Sequence, residues 1–274
     1  MFRIRNLAAT AVALTLVLAA CSSDDKDSSD STTPDTNPVA AVETIADGKL
    51  TVCTDAPYPP FEFQDETTDE WTGFDMDLMS KIADSLGGLK LSVTIQPFDG
   101  IWLAPKAKTC DVVASAMTIT PERQANALFT DPYFDADQSL LVSVANKDSL
   151  TSIESLDGKT IAVQSGTTGE AYAKDHAPAG ATIKSFDEPA AMFLALESGQ
   201  VDAVLQDLPV NADRAMKNEK VVVAATFSTG EQYGFSVAQD NTALADAINN
   251  ALTDLRSAGT YDTIYEKYFG TAPA

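Results

Sequence analysis

Leu50-Thr51-Val52-Cys53-Thr54 is a short β-prone run that stops at Asp55 and the proline-rich Pro57-Tyr58-Pro59-Pro60, the pattern of a strand feeding a loop. Met76, Met79, Ile82, Ala83 and Leu86 then recur at helical spacing and build one apolar face, with Asp75 placed to cap the helix. Residues 91–95 alternate as a strand does, and Val112-Val113-Ala114 is a third apolar run ahead of Ser115, Met117 and Thr118. A second set begins near residue 150. Residues 159–163 read as a strand leading into Ser165-Gly166-Thr167-Thr168, where small hydroxyl residues precede a helix. Met192, Leu194, Ala195 and Leu196 mark another helix ended by Gly199, residues 201–205 resume strand character, and Leu244, Ile248, Leu252 and Leu255 follow helical spacing after a Thr242 cap. Strands alternating with helices predict an α/β chain in which the same plan is built twice.

The start of the chain departs from this pattern. Arg3 and Arg5 precede an apolar run over residues 7–18, too short for a permanent membrane span and suited to a removable signal peptide over residues 1–20. Leu18-Ala19-Ala20-Cys21 resembles the lipobox of bacterial lipoproteins, which implies cleavage before Cys21 and a lipid on its thiol; ordinary cleavage nearby with Cys21 unmodified is the alternative. Residues 22–38 hold no apolar side chain to offset the entropy of ordering them, so residues 21–47 are expected to form the lipidated cysteine and a disordered tether. Residues 22–38 alone reach roughly 20 to 25 Å. The protein is thus expected at the outer face of the cell membrane or in the periplasm.

The 274 residues carry 18 basic and 40 acidic side chains, a formal net charge of −22, which argues against nucleic acid as a partner and otherwise describes a soluble surface. The single histidine, His176, falls on a solvated helix face, which argues against histidine-dependent catalytic triads. Cys53 and Cys110 lack the CxxC spacing and histidine partners of a zinc site, and no glycine pattern cradles a phosphate, so neither metal nor cofactor is expected. Export, together with positions in and just before strands expected to be neighbours, predicts a Cys53–Cys110 disulfide, two reduced buried cysteines being the alternative.

One internal echo points to a site. Cys110-Asp111-Val112-Val113-Ala114 is similar to Val201-Asp202-Ala203-Val204-Leu205, and each run delivers polar residues to the carboxyl end of a strand, where open parallel sheets bind ligands. Ser115 and Thr118 would then face Gln206 and Asp207 across a cleft.

Residues 54–63 and Gly73-Phe74-Asp75-Met76-Asp77-Leu78, followed by residues 111–123, Phe129-Thr130-Asp131-Pro132-Tyr133, Leu156-Asp157-Gly158-Lys159, Ser165-Gly166-Thr167-Thr168, Gln206-Asp207, Gln232-Tyr233-Gly234 and Gly259-Thr260-Tyr261, resemble in order the motifs of the family 3 solute-binding proteins, the polar-amino-acid receptors of ABC importers. The resemblance covers about residues 48–271. It implies the two-lobed periplasmic-binding-protein fold of type II, each lobe a mostly parallel sheet flanked by helices and joined by a two-strand hinge. Lobe 1 would be discontinuous, residues 48–139 plus 235–274, and lobe 2 would span 143–231, with crossovers near 138–144 and 231–236.

The implied ligand is a free amino acid, delivered by a monomeric, non-enzymatic protein to an ABC permease. Arg123 offers its α-carboxylate a fork of parallel donors, helped by Thr118 and Thr168, while Asp207 offers its α-ammonium a full charge. Tyr58 and Phe98 match the family's aromatic walls, and Ser115, Ala116, Gln164, Thr167 and Gln206 complete the implied lining. Asp55 and Glu62 flank Tyr58 and favour a cationic side chain, whereas the amides of Gln164 and Gln206 suit a neutral one such as glutamine. Asp75 and Asp77 read as helix-capping residues rather than a carboxylate pair. Two other classes use the same architecture: a cyclohexadienyl-dehydratase-like enzyme, separable by incubation with substrates, and a ligand-sensing accessory lipoprotein, separable by uptake after deletion.

Overall fold

The structure, a computed structural model, describes residues 42–271. The readings of a signal peptide and of lipidation at Cys21 lie outside the described residues, as does the tether expected over residues 21–47 except for residues 42–47, where the Ile45 N–H donates to Asp111 at 2.7 Å and holds this stretch to the folded body. The chain order is β1 (Lys49–Thr54), β2 (Phe63–Gln64), β3 (Trp71–Thr72), α1 (Phe74–Ser85), β4 (Lys90–Ile95), β5 (Val112–Val113), α2 (Pro121–Gln124), β6 (Leu128–Phe129), β7 (Phe134–Ser143), β8 (Thr160–Gln164), α3 (Thr168–His176), β9 (Thr182–Phe186), α4 (Pro189–Glu197), β10 (Ala203–Asp207), α5 (Leu208–Lys217), β11 (Val221–Tyr233), β12 (Ser236–Val237), α6 (Thr242–Ser257) and α7 (Thr260–Phe269).

These strands build two five-stranded sheets, β4-β1-β5-β12-β6 and β11-β7-β10-β8-β9. In the first, β1 lies parallel to β4 and β5, and β12 runs antiparallel to β5 and β6. In the second, β8 lies parallel to β9 and β10, and β7 runs antiparallel to β10 and β11. Helices flank each sheet, the two-lobed type II arrangement. Helix α1 buries Met76, Met79, Ile82 and Ala83, the periodic face read from the sequence, and packs against β4, α6 and α7.

The chain leaves the first sheet after Phe129 and enters the second at Phe134, then returns between Tyr233 and Ser236. The sequence expectation put the first passage at residues 138–144. Residues 138–142 lie instead in the inner part of β7, paired on both sides with β10 and β11, with Leu140, Leu141 and Val142 fully buried, and Val144 lies just past the strand end. A central strand buried on both faces reads as a continuous apolar run, which periodicity alone does not separate from a linking segment.

Aromatic rings fill the space where the two passages meet the first lobe. Phe61 lies 5.1 Å from Phe134, 5.4 Å from Tyr233 and 5.4 Å from Phe269, and Tyr133 stacks on Phe235 at 4.0 Å. The C-terminal helix therefore closes the core under the linking strands, and each ring buried there carries a large apolar area. Cys53 and Cys110 are joined in a disulfide that links β1 to the segment preceding β5.

Two caps differ from the reading of the sequence. Asn241, one residue before Thr242, accepts from the Leu244 N–H at 3.2 Å and caps α6. The N-cap of α1 is Gly73 at φ 113°, where an added Cβ would lie 2.1 Å from the Phe61 carbonyl oxygen, so the close approach requires glycine. Asp75 sits inside the first turn and points into the core.

Candidate cleft between the lobes

The carboxyl ends of β1, β5, β8 and β10 converge on one small cleft. Its lining brings together Asp55, Tyr58, Phe98, Ser115, Ala116, Thr118 and Arg123 from one side with Gln164, Thr167, Thr168 and Asp207 from the other. Gln206 is absent from this lining. It is buried with both amide atoms unpaired among the described residues, because successive strand residues point to opposite faces and Asp207 takes the cavity side.

Arg123 is 4 % exposed and follows the Thr120 cap of the short helix α2. Its guanidinium lies 5.2 Å from the ring centres of both Phe98 and Trp102, donates to the Thr118 carbonyl at 2.7 Å and reaches across to the Gly166 carbonyl at 3.0 Å. Burial lowers its pKa, while the nearby Asp207, Glu231 and Glu122 charges oppose that shift. Helix α3 begins at the same end of the cavity. Thr167 caps it by accepting from the Glu170 N–H at 3.1 Å and donates its own proton to the Gln164 carbonyl, so its hydroxyl is committed to the helix start. The first N–H groups of a helix have no intrahelical acceptor and carry the positive end of its dipole, so this pole suits an anion.

The opposite pole is acidic. Asp207, at the junction of β10 and α5, accepts from Gln138 at 2.5 Å, from the Tyr233 hydroxyl at 2.5 Å and from the Tyr58 hydroxyl at 3.4 Å. All three donors are neutral. Burial and the Glu231 charge push its carboxyl up to about 6, against the pull of those hydrogen bonds and of Arg123. Asp55, 3 % exposed, accepts from the Gln164 amide at 2.5 Å, and its carboxyl is also pushed up to about 6, mainly by burial and further by Glu188. The Gln164 amide, read as a partner for a neutral side chain, is engaged with Asp55 and with the Asp187 carbonyl at 3.2 Å.

Two acids singled out in the sequence serve as supports behind this lining. Glu62 is fully buried and does not reach the cavity; it accepts from the Ser115 hydroxyl at 2.9 Å while that oxygen accepts from the Asp55 N–H at 2.9 Å. Burial and the Asp75 charge raise the Glu62 pKa well above the ordinary range. Asp75 does not cap α1. It accepts from Tyr133 and, at 2.9 Å, from the N–H of Ala116, a non-glycine residue at φ 43°, so it fixes the left-handed turn that shapes the cavity floor. Asp77 accepts from Lys267 at 2.7 Å and Tyr268 at 2.8 Å, tying α1 to α7.

Sequence reasoning missed Trp102, Gln138 and Glu231. Only Glu231 carried a local signal, since it immediately precedes the Gln232-Tyr233-Gly234 motif. Among the described residues no three His, Cys, Asp or Glu side chains are gathered as a metal ion requires.

Known proteins are similar to this chain in sequence and in fold. The chain is 33% identical over 226 residues to an ABC transporter arginine-binding protein of Escherichia coli (strain K12), with 81% of this chain and 90% of that protein covered. It is 31% identical over 277 residues to an ABC transporter glutamine-binding protein of Bacillus subtilis (strain 168), with both chains covered completely. Its fold matches an ancestral arginine-binding protein solved bound to arginine at a TM-score of 0.77 and 42% identity, covering 81% of this chain and 99% of that one. Residues 50–271 match the family described as bacterial extracellular solute-binding proteins, family 3, and the chain belongs to that family.

Proposed function

We propose that this protein is the substrate-binding lipoprotein of an ABC importer and that it captures a basic amino acid, arginine foremost, in the cleft between its two lobes. The observation that carries the reading is the pair of buried acids, Asp55 and Asp207, whose hydrogen-bond donors are all neutral. A ligand with two cationic groups neutralises both, and desolvated charge pairs of this kind are strong when geometry is good. The ligand α-carboxylate lies on Arg123 and the start of α3, its α-ammonium on Asp207, and its guanidinium on Asp55 in a bidentate pair. Its methylene stem packs between Tyr58 and Phe98.

The relatives include both arginine- and glutamine-binding proteins, so the choice rests on Asp55. A carboxylate raised by burial gains more from a full charge than from an amide. The lipid on Cys21 keeps the receptor beside its permease, and the protein acts as a monomer without catalysis. Titration calorimetry of the purified protein against the standard amino acids tests the assignment. Arginine, lysine, ornithine and histidine are expected to bind and to displace one another; tight glutamine binding that arginine and lysine do not compete would overturn the cationic choice.

A further inference from the structure

We propose that Glu231 is a positioning residue that ties the two lobes together at the carboxylate-binding pole, one of its carboxylate oxygens receiving the hydroxyl of Thr118 from one lobe and of Thr168 from the other. The inference rests on the amino-acid-binding reading for its consequence, not for its geometry.

The β7–β11 register shifts between Phe227, opposite Gln138, and Glu231, opposite Ala136, with Gly230 at φ 66° inside the irregularity. Such bulges turn a side chain away from the direction that strict alternation would give it. Here the result is that Glu231 Oε2 accepts from Thr118 Oγ1 at 2.8 Å and from Thr168 Oγ1 at 2.6 Å, while its Oε1 accepts from Gln138 Nε2 at 3.2 Å. Gln138 Nε2 also donates to Asp207. One neutral amide thus joins the carboxylate pole to the ammonium pole.

The two threonines differ in what they are attached to. The segment holding Thr118 is bound by its backbone to the end of β11, through Ile119 N–H to the Gln232 carbonyl at 2.8 Å and Gly234 N–H to the Met117 carbonyl at 3.1 Å. It moves with Glu231. Thr168 starts α3 directly after β8, and its hydrogen bond to Glu231 joins that helix to the register-shifted end of β11. A hydroxyl has a single proton. With both protons directed to Glu231, the threonines turn lone pairs toward the cavity, and the ligand carboxylate is left to Arg123 and to backbone N–H groups. Glu231 therefore sets the orientation of this pole and favours the closed form before ligand arrives.

The test compares wild type with Glu231→Ala, Thr168→Val and the double variant in the full mature chain, with thermal melts to establish that each is folded. Small-angle scattering without ligand reads the closure equilibrium, and stopped-flow release of arginine reads its effect on binding. Loss of a charge-assisted hydrogen bond corresponds to a change of roughly tenfold to a hundredfold. We expect Glu231→Ala to enlarge the ligand-free radius of gyration and to speed arginine release by about that factor. Thr168→Val should do the same, and the double variant should be no worse than either single one. Unchanged scattering in both single variants, additive effects in the double variant, or tighter arginine binding by Glu231→Ala would each overturn the proposal. The scattering measurement contains no ligand, so it decides the lobe contact even if arginine proves the wrong ligand.

Discussion

Replacing Asp207 by asparagine separates a binding role from a structural one, because the two roles predict opposite signs. Asp207 is 7 % exposed, and its carboxyl is raised from 3.8 to about 6, chiefly by burial and then by Glu231. A shift of that size corresponds to about 3 kcal/mol of disfavoured charge at neutral pH. The folded-state pKa is raised, so the contribution to stability is fully present below 3.8 and is lost as the pH rises through about 6. Asparagine resembles the protonated acid: its oxygen can keep the Gln138 bond, while its amide meets the hydroxyls of Tyr233 and Tyr58 less favourably, at about 1 kcal/mol. The ligand-free Asp207→Asn protein should therefore be about 2 kcal/mol more stable at pH 8, and melt roughly 4 to 8 °C higher. The difference should shrink as the pH falls below about 6 and reverse, to about 1 kcal/mol in favour of wild type, below 3.8. Arginine affinity should fall by more than about a hundredfold, since the ammonium loses its only charged partner in a desolvated site. Differential scanning fluorimetry and calorimetry on the same samples give both quantities. A variant that is less stable at pH 8 yet binds arginine normally would refute the reasoning.

Arginine affinity of wild type should drop as the pH falls through about 6, by up to about two powers of ten per pH unit because Asp55 and Asp207 must both ionise, whereas a neutral ligand such as glutamine should show about one. Titrations between pH 4.5 and 8 give the slopes, and equal slopes for the two ligands would contradict the role of Asp55. Arg123→Lys should weaken binding roughly tenfold to a hundredfold, since a point charge cannot span Thr118 and Gly166 or lie flat between Phe98 and Trp102; unchanged affinity in calorimetry would count against the clamp. Gly166→Ala would place a Cβ 2.7 Å from the Asp99 carboxylate and 2.9 Å from its Cα, at a φ of 75°. It should leave the fold intact and reduce affinity by about tenfold through overpacking of the closed cleft, and scattering with saturating arginine should show a more open average.

The echo between residues 110–114 and 201–205 was legible because both copies face the same physical demand. Asp111 accepts from the Thr51 N–H at the start of β1 and Asp202 from the Thr160 N–H at the start of β8, so each acid fixes a neighbouring parallel strand. Strand ends, and with them Ser115, Thr118 and Asp207, followed from that pattern. The supports behind them did not. Asp75 in the first turn of a helix looks the same in sequence whether it caps the helix or turns inward to Ala116. Glu62 looked like a ligand-facing acid because a loop flanked by prolines reads as exposed, and only the fold shows that it is covered. Gln138 lay in a run read as a passage between lobes, and Glu231 is aimed into the cleft by a register shift that no periodicity records. Local composition thus located the ends of elements, while the side chains that hold the site in shape depend on contacts far apart in the chain.

Ligand analogues probe the central claim, that Arg123 and Asp207 grip the two ends of one amino acid. Calorimetric titration of wild type with arginine, agmatine and Nα-acetylarginine varies one end at a time: agmatine lacks the carboxylate, and the acetyl derivative lacks the ammonium charge. Arginine should bind, and each analogue should be weaker by more than about a hundredfold, the loss expected when a buried charge is left without its partner. Agmatine or Nα-acetylarginine binding as tightly as arginine would contradict the account.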